Sequence, residues 1–213
     1  MSASGRTVLL AGATSPSGLE VARALVAAGA RVVATGRSAE RLAPLADAGA
    51  EVEVADATSV DEMTQLAERL GAVDGVFPLV GGWRGGGGLA GQSDADFEAL
   101  LPALQAVRAT SRAVDAALGA SEAGRFAVVS STAVARPLAG GANYAAIKAA
   151  SEAWAHAVAQ GFAKAARDAG ETLRAASVVF RVKGALEPAT LASAVVELWD
   201  ADAADLNDRV IDL

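Results

Sequence analysis

Short apolar runs alternate with segments of helical period along the whole chain, and no other feature restricts the fold as much. Thr7–Ala11 (TVLLA) reads as a strand buried on both faces and stopped by Gly12. Residues 19–28 then place Leu19, Ala22, Leu25 and Val26 at helical spacing, and Gly29 ends that helix. A second strand follows at 31–35 and a second helix at 39–48, ended by Gly49. Residues 51–55 alternate as an edge strand can, 59–70 form a helix stopped by Gly71, and 74–80 form a fourth strand. A glycine-rich loop occupies 81–91. Beyond it come a long helix at 94–118, which Pro102 is expected to kink, and a strand at 125–130. A second long helix at 143–169, a strand at 173–182, a short helix at 188–199 and a last strand at 209–213 complete the chain. Such alternation means repeated βαβ units and a parallel sheet covered on both faces. The right-handed crossover rule makes a doubly wound, Rossmann-like α/β sheet of about seven strands the most economical topology. A single domain over residues 1–213 is expected, since no linker or internal repeat breaks the pattern.

Composition removes whole classes of function. The chain has no Cys, which excludes a disulfide framework, a zinc–thiolate site and a cysteine nucleophile. One histidine, His156, excludes a multi-histidine site and argues against a Ser-His-Asp triad, so no metal is expected. A formal charge of -7 without a basic stripe argues against nucleic acid as a partner. No apolar run reaches membrane-spanning length, and the N-terminus carries no basic segment followed by a long apolar stretch. A cytoplasmic protein without a membrane partner is therefore expected. Hydrophobic residues make up 53% but aromatics only 4%; the difference is largely alanine, which favours closely packed helices.

The first strand–helix turn, AGATSPSGLE at 11–20, has the form of a nucleotide site. Gly12 permits a tight turn, Gly18 lets the helix approach the sheet, and the helix N-terminus can face a pyrophosphate. Thr14, Ser15 and Ser17 offer polar contacts. Pro16 stands where the usual fingerprint has its middle glycine and removes one N–H donor, although its fixed φ suits a first helical turn. Ser15 or Ser17 can cap the helix, and Ser17 with Glu20 matches a capping box. An ordinary capped helix start is the alternative. At the end of the second strand, Thr35-Gly36-Arg37-Ser38 lacks the carboxylate that would bond a ribose 2′-OH. Arg37 and Ser38 suit a 2′-phosphate instead, which points to NADP(H); a solvated turn arginine is the plainer reading. Asp56 is placed either to reach an adenine amino group or to cap its own loop.

Residues 131–148 carry the candidate chemistry. Tyr144, the only tyrosine, and Lys148 are one helical turn apart and share a face. Ser131 lies at the carboxyl edge of the fifth strand, where ligands bind in open α/β sheets. A lysine beside the phenol is expected to lower its pKa and make it a usable acid/base. The serine hydroxyl can hold a carbonyl or alcohol oxygen.

With the glycine turn, TGRSAERL at 35–42, Asp56, VSSTA at 129–133 and NYAAIK at 143–148, the sequence resembles the short-chain dehydrogenases/reductases over nearly its whole length. The resemblance implies Tyr144 as general acid/base, Lys148 lowering its pKa and bonding the nicotinamide ribose, and Ser131 positioning the substrate oxygen. Gly12, Thr14, Ser15, Ser17, Gly18, Arg37, Ser38, Asp56 and Gly81 would line the NADP(H) site with Tyr144 and Lys148. It implies a small carbonyl or alcohol substrate and a homodimer or homotetramer built on the two long, alanine-rich helices. Departures from the family pattern stand beside the matches. Pro78-Leu79-Val80-Gly81 replaces Asn-Asn-Ala-Gly, and Leu104 replaces the asparagine that supports a water relay. Phe180 and Arg181 replace Pro-Gly, and the long substrate loop that should follow is nearly missing. An open pocket, or one filled by another subunit, is expected. Three readings follow: an NADP(H)-dependent carbonyl reductase or alcohol dehydrogenase, a catalytically inactive NADP(H)-binding relative, or a structural oligomer whose cofactor site has decayed. Trp83 is read as a pocket wall or a core residue, Trp199 as a core anchor, and His156 as a surface or interface residue. Gly85–Gly88 is read as a site loop or a disordered excursion.

Overall fold

The computed structural model describes residues 2–213. Its seven strands are β1 (Thr7–Ala11), β2 (Arg31–Gly36), β3 (Glu51–Val54), β4 (Gly75–Pro78), β5 (Arg125–Ser131), β6 (Ala176–Val182) and β7 (Arg209–Asp212). They form one sheet in the order β3-β2-β1-β4-β5-β6-β7, and every pairing is parallel. The helices are α1 (Pro16–Ala27), α2 (Ala39–Asp47), α3 (Val60–Leu70), α4 (Asp94–Ala120), α5 (Ala142–Ala169), α6 (Pro188–Glu197) and α7 (Ala203–Leu206). The expected doubly wound α/β fold is the observed one.

The period of two along each strand divides the core. Val8, Leu10, Val32, Ala34 and Phe180 face α1, α2 and α6. Leu9, Ala11, Val33, Val76 and Val179 face α3, α4 and α5. Both faces are therefore apolar, which explains why β1 reads as a continuous apolar run rather than an alternating one. The chain steps outward from β1 to β3, returns across the sheet, and steps outward again from β4. The carboxyl ends of β1 and β4 consequently border the crevice where such sheets bind ligands.

Several boundaries differ from the sequence reading. Helix α1 begins at Pro16, one turn earlier than expected, because proline needs no partner for an N–H at that position. Strand β4 ends at Pro78 and β6 begins only at Ala176. Helix α4 runs unbroken through Pro102. The short α7 was not anticipated. As expected, only residues 183–187 separate β6 from α6.

Trp199 anchors the α6 end of the core: it is fully buried, packs edge-on to Phe77 with ring centroids 6.0 Å apart, and donates Nε1–H to the Ala123 carbonyl. Beside it lies Arg125, also fully buried and without a carboxylate ion-pair partner among the described residues. Its guanidinium donates to the carbonyls of Leu198 (2.7 Å), Gly124 (2.8 Å), Arg174 (3.1 Å) and Ala201 (2.9 Å). Burial lowers its pKa to about 10, with the charge of Arg6 acting in the same direction and Asp202 opposing. One cation thus satisfies the carbonyls left over where β5, the chain before β6 and the end of α6 meet. Arg125→Met should lower the unfolding free energy by about 3 kcal/mol, measured by urea denaturation, because it strands several buried acceptors. A loss below about 1 kcal/mol would mean that water reaches those carbonyls instead.

Candidate active site

The turn between β1 and α1 is built for close approach. Gly12 has φ +73, and a Cβ there would lie 2.4 Å from a Val80 methyl. Its N–H donates to Thr35 Oγ1 at 3.1 Å, tying the turn to β2. A Cβ at Gly18 would lie 2.1 Å from the Ala13 carbonyl, so only glycine lets the helix lie this near the strand. Ser15 is the N-cap, accepting from Gly18 N–H at 3.1 Å, and Pro16 is the first helical residue. The capping box expected of Ser17 and Glu20 does not form. Ser17 already lies inside the first turn, and Glu20 pairs with Arg23 at 3.6 Å. Proline at the first helical position removes a donor that helix geometry leaves unpaired in any case.

Three adjoining cavities run from this turn along the carboxyl edge of the sheet. The first, about 410 Å³, is lined by Gly12, Thr14, Ser15, Arg37, Ser38, Asp56 and Gly81. It is also lined by Arg41, which the sequence reading did not single out; one α-helical turn past the N-cap, Arg41 donates from Nη2 to the Thr14 carbonyl at 3.3 Å. Ser38 spends its hydroxyl partly on capping α2, accepting from Arg41 N–H at 3.4 Å. Asp56 caps its own loop: Oδ1 accepts from Thr58 N–H (2.9 Å) and Thr58 Oγ1–H (2.8 Å). The loop-capping role is therefore the observed one, at the wall of the cavity. Arg37 and Arg41 stand at one end of this space without a carboxylate partner among the described residues. A 2′-phosphate fits such a pair, while a bare ribose hydroxyl would leave both cations unused.

The second cavity, about 340 Å³, shares Ser15, Leu79, Val80 and Gly81 with the first and adds Ser17, Tyr144, Lys148 and Ser151. Lys148 is 9% exposed, and its Nζ donates to the Val129 carbonyl at 2.7 Å. Burial pushes its pKa down to about 8, with the negative charge of Glu152 resisting. Nζ lies 5.7 Å from the centroid of the Tyr144 ring. The expected lowering of the Tyr144 pKa is not observed. Burial raises it, and the neighbouring Ser131 hydroxyl only partly offsets the rise. The sequence reading counted the ammonium and left out the desolvation of the phenol, which is larger here. Ser131 ends β5, where its Oγ accepts from Ala133 N–H at 3.2 Å.

The substitutions around this pair form their own packing. Leu104 packs against the apolar cluster of Leu100, Ala103 and Ile147, as Tyr144 does, and its own side chain has no atom to hold a relay water. Phe180 is core. Arg181 makes a bidentate ion pair with Glu152, at 2.9 and 2.7 Å. Burial pushes the Glu152 carboxyl up, but hydrogen bonding from Arg181 and Ser130 and the charges of Arg181 and His156 outweigh it and bring it below its usual value. Ser130 Oγ makes no hydrogen bond of normal geometry, although it lies near enough to that carboxylate to act on it. His156 lies on the surface, its Nδ1 2.6 Å from Asp208 Oδ1.

A third cavity, about 450 Å³, shares Trp83, Tyr144 and Gly184 with the second and is lined further by Ser131, Ala133 and Leu138. Trp83 is 62% exposed, so it is a wall and not core. Gln92, another residue missed from sequence, secures the glycine-rich loop. Its side chain bridges that loop to the segment before Tyr144, a contact across about fifty positions with no local signal. Among the described residues, no helix is long and apolar enough to cross a membrane.

The short chain dehydrogenase family pattern matches residues 6–166. No curated protein matches the sequence. Solved structures do. A short chain dehydrogenase/reductase family protein shares 24% identity and a TM-score of 0.82, covering 100% of this chain and 97% of its own. A gluconate 5-dehydrogenase from Burkholderia cenocepacia J2315, in complex with NADP and tartrate, shares 21% identity and a TM-score of 0.82, with 99% and 94% covered. A short chain dehydrogenase structure from Shigella flexneri 2a str. 301, complexed with NADP, shares 20% identity and a TM-score of 0.83, with 98% and 97% covered. These likenesses establish the common fold. With the family pattern spanning most of its length, the chain belongs to the short-chain dehydrogenase/reductase family of oxidoreductases.

Proposed function

We propose that the protein is an NADP(H)-dependent oxidoreductase acting on a carbonyl or alcohol substrate through Ser131, Tyr144 and Lys148. The observation that carries this reading is a continuous cleft with a phenol, a serine hydroxyl and a buried ammonium at one end and two guanidiniums at the other. NADP-bound relatives of the same fold add support.

Arg37 and Arg41 would hold the 2′-phosphate, and Ser15, Ser17 and the α1 N-terminus the pyrophosphate. A bound reduced nicotinamide would supply hydride to the carbonyl carbon. Ser131 donates a hydrogen bond to the carbonyl oxygen and orients it. The Tyr144 phenol, protonated at neutral pH and raised further above the ordinary phenol value by burial, gives its proton to that oxygen as negative charge develops there. The Lys148 ammonium above the ring favours the phenolate left behind. Because Leu104 provides no relay, the phenol, which is only half buried, regains its proton from water in the open cleft. In the reverse direction Tyr144 accepts the alcohol proton, which requires the phenolate and hence higher pH. An inactive NADP(H)-binding relative remains the second reading, favoured by Leu104 and by the engagement of Lys148 with Val129. The outer faces of α4 and α5, where Trp154, Ala157 and Gly161 line a shallow groove, support a homodimer or homotetramer.

Tyr144→Phe should lower the rate of NADPH oxidation with carbonyl compounds by about 10³-fold while leaving NADPH affinity unchanged. Turnover undiminished in the variant, or absent from the parent protein with saturable NADPH binding, would defeat the catalytic reading. Lys148 is charged below about pH 8 and neutral above it, so the reductive rate should hold steady below pH 8 and fall above it. Arg37→Ala combined with Arg41→Ala should weaken NADPH binding by about 100-fold and NADH binding little, as measured by fluorescence titration.

A further inference from the structure

The third cavity has a built outer wall, although the family's substrate loop is missing. Gln92 donates from Nε2 to the carbonyls of Gly86 (3.0 Å), Gly88 (3.3 Å) and Gly140 (3.1 Å), and its Oε1 accepts from Asn143 N–H at 3.1 Å. Gly86 N–H donates to the Gly140 carbonyl at 2.7 Å. A Cβ at residue 85 would lie 2.4 Å from that same carbonyl, so the glycines allow the loop to press against the turn before α5. The glycine run is therefore not an excursion. Trp83, at the start of this loop, lines the cavity together with Leu138, and both side chains are largely exposed (62% and 78%). Exposed apolar pairs of this kind beside a reactive phenol mark a binding surface.

No side chain lining this cavity is ionised at neutral pH. Arg84 folds back onto the Trp83 carbonyl at 2.9 Å, and Arg136 and Lys183 are exposed to solvent outside the lining. A carboxylate entering beside Trp83 would lose water with no cation in the described lining to answer it, whereas a planar apolar group would gain contact with the indole face.

We infer that this cavity is the subsite for the organic part of the substrate, and that it takes uncharged aromatic or alicyclic carbonyl compounds, with Trp83 as the residue that sets the preference and Gln92 as the residue that positions it. The inference rests on the oxidoreductase reading for the role of Tyr144, but binding at the subsite does not depend on turnover.

The test follows the Trp83 indole N–H by NMR, assigned with Trp83→Phe, as acetophenone or 4-acetylbenzoate is added. Acetophenone should shift that resonance saturably and bind about tenfold more tightly than 4-acetylbenzoate. Trp83→Ala, a change at an exposed position, should weaken acetophenone binding about tenfold, followed through the Leu138 methyls. Gln92→Ala should weaken it with Trp83 still present. Equal or tighter binding of the carboxylate, indifference to Trp83, or no saturable binding of either compound would overturn the inference. NADPH oxidation with the same two compounds separates the two readings. Trp83-dependent binding without turnover would remove the catalytic reading and leave the subsite, and turnover favouring the carboxylate would do the reverse.

Discussion

The hydrogen bond from Lys148 Nζ to the Val129 carbonyl organises the end of the cleft that holds Tyr144 and Ser131. It spans the gap between α5 and β5, the two elements that supply Tyr144 and Ser131. An ammonium that deep keeps its charge only if its surroundings answer it. A backbone carbonyl does so directly, and Glu152, on the next turn of α5, does so through space. Glu152 is in turn held by Arg181, on the strand beside β5. Charges alternate along this row from Lys148 to Glu152 to Arg181. The arginine that stands at the family's glycine position, near the end of β6, is thus the outer counterion of a row that starts at the ammonium beside the phenol.

Much of this was legible in the sequence, for physical reasons. Burial on both faces of β1 leaves a short apolar run, and its repetition in alternation with helical segments lets the parallel sheet be read directly. Ser131, Tyr144 and Lys148 stand out in the sequence because one strand end and one helical turn fix their separation, and the fold brings the three to adjoining cavities. What failed to appear depends on competition or distance. Ser15 and Ser17 are both plausible caps, and Pro16, by taking the first helical position, decides between them. The shift of the Tyr144 phenol has the opposite sign from the expectation because burial, invisible in a string of letters, outweighs the neighbouring hydroxyl. Arg41 looked like an ordinary charged helix residue until the fold brought it beside Thr14. Gln92 has no pattern at all; its four partners lie on the glycine loop and on a turn nearly fifty residues away.

The departures from the family pattern fall into two groups. Leu104 and Phe180 are absorbed by packing, one against the cluster of Leu100, Ala103 and Ile147 and one in the core, and Leu104 puts an aliphatic side chain where the family has an amide. Arg181 and the short 183–187 connection alter the architecture around the pocket, and Trp83 and Gly86 of the glycine-rich loop line the third cavity together with Gly184 of that connection. The result is a shallow, largely apolar approach to a small polar centre, suited to a compact substrate whose only polar group is the one that reacts.

Because Tyr144 is the only tyrosine in the chain, its ionisation can be followed in the free protein by the near-ultraviolet absorbance of tyrosinate, with no other phenol contributing. A proton donor sheltered by its surroundings should titrate above the ordinary phenol value of 10.0, and Ser131→Ala should push the midpoint higher still, since that hydroxyl is what pulls it back. A midpoint at or below 10.0 in the parent protein, unchanged by the serine substitution, would contradict the account.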